Sequence, residues 1–266
     1  MQTRNYSPRS IETYIHLLCD LEKYFKCSVD EVSVDQVKDY LQHAITERNL
    51  SVSYINQVIS AVKILQKDVL GNEWESIRIK RPRRIKKLPV VLSKEEVKSM
   101  IETTRNLKHR AILAVIYSAG LRISELISLR PADIDSDRKQ IKVLGKGNKY
   151  RYTLLSENIL DMLRIYWRAY KPERYLFEGQ KPGQPISRET IQVVFKHACK
   201  KTGINKPASV HSLRHSFATH LLESGVNLKI IQSLLGHSSL RTTSIYLHVT
   251  RFDPSTVKSP FDEIVF

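Results

Sequence analysis

HSLRHSFATHLLESGVNLKIIQSLLGHSSLRTTSIY, residues 211–246, gathers much of the chain's reactive chemistry in one run. A helix opens near His211 and carries His211, Arg214, His215 and His220. The three-residue step from His211 to Arg214 puts both on one helix face. A later helix exits at Gly236, His237 follows at once, and Tyr246 lies nine residues further on. Taken singly, each has a plain reading: Arg214 as a salt-bridge partner, His211 as a substitute N-cap, Tyr246 as a core aromatic. His211 and His215 also have the i,i+4 spacing of a shared metal ion, but no third ligand is evident and Arg214 would project beside the metal.

Upstream, a largely apolar helix from about Lys108 to Ala119 is ended by Gly120, and Gly120-Leu121-Arg122-Ile123-Ser124-Glu125-Leu126 sets Arg122 just past that stop. Two strand-like runs, Gln140–Val143 and Tyr150–Leu154, flank Gly145-Lys146-Gly147-Asn148-Lys149, a β-hairpin signal. In that hairpin Lys146 falls at the tip and Lys149 at the start of the return strand. Ser93 with Glu96 forms a capping box at the head of this second domain.

The first domain reads as all-helical. Ser7-Pro8 opens a helix with Ile11, Tyr14, Ile15, Leu18 and Leu21 at helical spacing. Ser33 with Gln36 opens a second, and Ser51 a third, whose face is Ile55, Val58, Ile59, Val62, Leu65 and Val69, with Gly71 as its stop. The division expected is a helical domain at 1–77, a linker at 78–89, a catalytic domain at 90–250 and a tail at 251–266. The fold class is mainly α, with a small β-hairpin in the second domain.

The charge is distributed unevenly. The 266 residues carry a formal +16, yet residues 1–77 hold 8 basic and 11 acidic side chains. The linker has seven cations and no acid: Arg78, Lys80, Arg81, Arg83, Arg84, Lys86 and Lys87, punctuated by Pro82 and Pro89. A basic extended segment joining two domains of a basic protein points to a phosphate backbone as partner. The tail is a polar arm with an apolar end, Phe261, Ile264, Val265 and Phe266, which suggests docking into a groove in cis or on a neighbouring subunit.

Several chemistries find no residues. There is no G-x-x-x-x-G-K-[ST], no H-E-x-x-H and no carboxylate cluster suited to Mg²⁺, so neither metal nor nucleotide cofactor is expected. Cys19, Cys27 and Cys199 form no even set. No apolar segment at the start or within the chain suggests secretion or membrane insertion, so a cytoplasmic protein is expected. What remains is an arginine pair, two histidines, a lysine and a tyrosine. Two arginines can clamp the non-bridging oxygens of a phosphodiester while a tyrosine attacks phosphorus, a histidine takes its proton and a lysine protonates the leaving oxygen.

These motifs, in this order and spacing over most of residues 90–250, resemble the tyrosine recombinases of the phage integrase family, and the Xer-like members most closely. The resemblance implies that Arg122 and Arg214 hold the phosphate and Tyr246 is the nucleophile. It makes His211 the acid/base on the tyrosine side, Lys146 the general acid and His237 a hydrogen-bond donor to the transition state. Glu125 buttresses the site, and His215 and His220 are structural. Lys149 is assigned a phosphate contact. The resemblance further implies a two-domain clamp around double-stranded DNA, a tetramer holding two duplexes together with copies of itself or a related recombinase, and roles ranging from chromosome segregation to element integration. Two other functions stay open: a type IB topoisomerase activity with the same chemistry, and a catalytically silent DNA-binding regulator.

Overall fold

The computed structural model describes residues 6, 8–72, 88–145 and 149–250. The chain divides into two compact units at residue 87/88. The first contains α1 (Pro8–Phe25), α2 (Val34–Thr46) and α3 (Val52–Ile64), the last continuing as a wide π-type turn over Leu65–Val69. Ser33 and Gln36 cap α2 reciprocally, as the spacing requires, and Ser51 accepts from the Tyr54 N–H at the head of α3. Ser7 lies outside the described residues.

The buried face of α1 is rotated from the expected one. Tyr14, Leu17, Leu18, Leu21 and Phe25 pack onto the core, whereas Ile15 is 54% exposed. Leu17 and Leu21 complete the i, i+3, i+4, i+7 series that starts at Tyr14 with Leu18, and Ile15 falls one residue-step outside it. The stripe on α3 also ends early. Ile55, Val58, Ile59 and Val62 are buried, but the π turn shifts the phase so that Val69 is 66% exposed. Gly71 has the left-handed backbone of a helix stop, φ +72°.

The second unit is built on α5 (Leu107–Ala119), whose residues Ala111–Ile116 are all buried. Around it stand α4 (Lys94–Thr103), α6 (Ile123–Ser128), α7 (Glu157–Tyr170), α8 (Arg188–Lys201) and α9 (Val210–Glu223). The chain ends this unit with α10 (Leu228–Leu235), the short α11 (Leu240–Thr243) and a 3-10 turn over Ser244–His248.

The expected hairpin is there, with one strand more. β1 (Ile134–Asp135), β2 (Gln140–Leu144) and β3 (Tyr150–Leu154) form an antiparallel sheet in that order, with Ile141 opposite Thr153 and Val143 opposite Arg151. Ile141, Val143, Thr153 and the Arg151 side chain face inward, while Tyr150, Tyr152 and Leu154 stay exposed. Thr153 Oγ1 donates to the Ala119 carbonyl at 2.9 Å and so fastens β3 to the end of α5. No described helix is long and apolar enough to cross a membrane.

Candidate functional site

Two helices end on glycine, and their last carbonyls meet at one place. Gly120 closes α5 and Gly236 closes α10, both left-handed at φ +60° and +62°. Arg214, one turn into α9 and 1% exposed, donates to the Gly120 carbonyl and to the Leu235 carbonyl, each at 2.6 Å. Helix C-termini carry partial negative charge, so this is favourable ground for a buried guanidinium. Burial, followed by the nearby Arg122 charge, lowers Arg214 to about 10, which still leaves it cationic at neutral pH.

Glu125 is the anion of the cluster and is 4% exposed. Arg122 precedes α6, where the Glu125 carboxylate accepts its backbone N–H at 2.8 Å and its guanidinium at 2.7 Å. Arg214 stands 3.5 Å from the same carboxylate. Burial pushes the Glu125 carboxyl up, but Arg151, the Arg122 backbone N–H and Arg214 outweigh it, leaving Glu125 below its ordinary value.

His237 follows Gly236. Its Nε2 lies 3.1 Å from Arg214 Nη2, and its Nδ1 lies 3.0 Å from the Thr243 hydroxyl. Tyr246 is 2% exposed, on the 3-10 turn, and its ring packs in a small cluster with Phe217, Ala218, Ile231 and Leu235. The histidine that meets its hydroxyl is His215, at 3.1 Å from Nδ1, rather than His211. His211 is exposed and packs edge-on against His215 with ring centroids 4.9 Å apart. His220 is engaged elsewhere, with Tyr117, at 2.9 Å.

Burial and neighbouring positive charge lower both His215 and His237 to about 4. Each is therefore a neutral imidazole at neutral pH. Burial raises the Tyr246 phenol, while Arg214 and Arg122 pull it back down. The phenol keeps its proton until a base receives it. Among the described residues no group of three or more His, Cys, Asp or Glu side chains could hold a metal ion.

The profile of the phage integrase family matches residues 90–251, and that of the phage integrase N-terminal SAM-like domain matches residues 1–76. The chain belongs to the phage integrase family. It is 34% identical over 254 residues to tyrosine recombinase XerA of Pyrococcus horikoshii, covering 94% of this chain and 86% of that one. With tyrosine recombinase XerD of Staphylococcus saprophyticus it shares 32% identity over 251 residues, 88% and 82% of the two chains. A solved structure of the XerH site-specific recombinase, bound to a palindromic difH substrate after cleavage, superposes with TM-score 0.74 at 24% identity, over 93% of this chain and 78% of that one. The protein is thus an enzyme of the tyrosine-type site-specific recombinases.

Within this integrase-family site, contacts join Arg122, Glu125, Arg214 and His237 in one set and His211, His215 and Tyr246 in another, and the charges of Arg214 and Arg122 act on both His211 and Tyr246. Lys146 lies outside the described residues, as do Arg78, Lys80, Arg81, Arg83, Arg84, Lys86 and Lys87. Lys149 is exposed, and its carbonyl accepts the Gly145 N–H at 2.8 Å where the hairpin closes.

Sequence reasoning overlooked Arg151. It grips the Glu125 carboxylate with two guanidinium bonds, 2.8 and 2.9 Å, and donates from Nε to the Leu234 carbonyl at 2.8 Å. The available signal was a cation at an inward position of β3, opposite Val143. Its side chain crosses Gly236, where an added Cβ would stand 2.7 Å from Arg151 Cδ. Gly236→Ala is therefore expected to lower stability by at least about 1–2 kcal/mol, from the left-handed backbone alone. Urea denaturation measures this: a loss no larger than the backbone cost would mean that Arg151 yields freely, and an unchanged midpoint would overturn the expectation.

Proposed function

We propose that this enzyme cleaves and rejoins double-stranded DNA at a specific site through a 3′-phosphotyrosyl bond on Tyr246. One observation carries the reading. Three guanidiniums surround a single buried carboxylate, a surplus of two positive charges, and the field of Arg214 and Arg122 reaches the one tyrosine hydroxyl that His215 holds. That surplus suits a phosphodiester, whose charge grows at the pentavalent transition state.

Arg122 and Arg214 hold the non-bridging oxygens, and His237 adds a hydrogen bond. The Tyr246 oxygen attacks phosphorus, forming the Tyr–O–P bond as the P–O5′ bond breaks. The phenolic proton passes to the histidine pair: His215 holds the hydroxyl in this structure, and His211 receives the proton when Tyr246 moves onto the phosphate. Lys146 delivers a proton to the departing 5′ oxygen. The new ester keeps the free energy of the bond it replaces, so rejoining consumes no nucleotide.

The helical domain and the basic linker close around the duplex, Lys149 touches its backbone, and four copies hold two duplexes in the cytoplasm. The tail at 251–266, outside the described residues, docks on a neighbouring copy. The DNA-bound XerH complex supports the duplex as partner. Neutralising Arg81, Arg83, Arg84 and Lys86 together is expected to flatten the slope of log K against log salt by about 3 to 4 units with base preference unchanged. An unchanged slope would remove the linker from the interface. The decisive experiment is incubation with a nicked suicide duplex: the wild-type protein should be trapped as a covalent adduct on a denaturing gel. Binding of the cognate site without any adduct would overturn the reading.

A further inference from the structure

Thr243 ends α11, is fully buried, and stands three residues before Tyr246. Its hydroxyl meets Nδ1 of His237, whose Nε2 meets Arg214 Nη2. A guanidinium has hydrogens to give and no lone pair, so in the second contact Nε2 accepts. A neutral imidazole that accepts at Nε2 carries its proton on Nδ1, where it is donated to Thr243 Oγ1. The contacts therefore run in one sense, from guanidinium to imidazole to hydroxyl.

We propose that Thr243 is a positioning residue that fixes His237 with its proton on Nδ1 and thereby registers the tyrosine-bearing turn to the phosphate clamp. The inference rests on the recombinase reading above. With Nδ1–H held by Thr243, Nε2 is the nitrogen that faces the clamp; a second proton taken there can go to a phosphate oxygen as the Arg214 Nη2–H it displaces turns to the same phosphate. The hydroxyl is tied to the same short segment as the nucleophile, so a displacement of that segment is felt at His237 and, through it, at Arg214.

Two substitutions separate this role from simple packing. Thr243→Val keeps the branched shape and deletes the acceptor, whereas Thr243→Ser keeps the hydroxyl and deletes a methyl group. The rate of covalent adduct formation is expected to fall about 10- to 100-fold in Thr243→Val and to stay within about threefold of wild type in Thr243→Ser, with DNA affinity unchanged in both. If Thr243 only fills space, the order reverses, because serine leaves a void and valine does not. That order would overturn the proposal.

Nitrogen-15 shifts of the His237 imidazole supply a readout independent of activity. The wild-type ring should be protonated at Nδ1 and bare at Nε2, and Thr243→Val should move the population towards Nε2–H. A wild-type ring protonated at Nε2, or a ring indifferent to the valine, would also overturn the proposal. A wild-type protein that binds DNA yet forms no adduct counts against the recombinase reading instead, and the nitrogen shifts then decide the role of Thr243.

Discussion

Tyr246→Phe is expected to abolish the covalent DNA adduct while leaving affinity for the duplex within a few-fold of wild type. The substitution removes one oxygen, and that oxygen is the proposed nucleophile. Affinity comes instead from many backbone contacts, each a small share of the total. The ring stays in its cluster with Phe217 and Leu235, so the turn over Ser244–His248 keeps its packing. The loss of the 3.1 Å contact to His215 costs about 0.5–1.5 kcal/mol of stability, which does not unfold a unit of this size. Gel shift and denaturing-gel trapping on the same suicide substrate give both numbers. A Tyr246→Phe protein that still becomes covalently linked would move the nucleophile elsewhere, and Tyr150 and Tyr152, both exposed on the outer sheet face, would be tested next.

The helical elements were largely legible because their signals are local. Ser33 with Gln36 and Ser93 with Glu96 cap the helices they were read to cap, and Gly120 and Gly236 stop helices with the left-handed backbone that a side chain resists. The phase of α1 was less legible, since Ile15 competes with Leu17 for the apolar face and only the partner helices decide between them. The sheet shows the same limit. Tyr150, Tyr152 and Leu154 look like the buried set of β3, yet they face outward, because Arg151 and Thr153 have fixed partners inside in Glu125 and the Ala119 carbonyl. A strand's alternation marks two faces and does not say which one is inside.

At the site, residue types and spacing pointed to an arginine pair, a tyrosine and histidines. They could not show which histidine touches the tyrosine. His211 and His215 are one helical turn apart, and the choice depends on how the 3-10 turn after Thr243 settles against α9. Nor could spacing reveal Arg151, whose partner lies 26 residues away in sequence.

Glu125→Gln is expected to cost the second unit about 3–5 kcal/mol, a fall on the order of 10 °C in Tm. The carboxylate accepts from Arg122 and Arg151 and lies 3.5 Å from Arg214; Arg151 and Arg214 have little access to water, while Arg122 is partly exposed. Glutamine keeps the shape but turns an NH₂ group towards donors and raises the local surplus from two positive charges to three. The pH dependence follows from the depressed Glu125 carboxyl, which binds its proton more weakly when folded than when unfolded. Its contribution is fully present above the ordinary glutamate value of 4.5 and is lost as pH falls through the lower folded-state value. The stability gap between wild type and Glu125→Gln should therefore be constant near neutral pH and narrow on acidification below that point. Thermal unfolding of both proteins across this range measures it. Equal stability at pH 7 would show that the helix-end carbonyls alone hold the arginines. A gap that widens in acid would mean that Glu125 is already protonated in the folded protein. Inorganic phosphate provides the complementary test: an anion drawn to the uncompensated cations should raise the Tm of Glu125→Gln more than that of wild type.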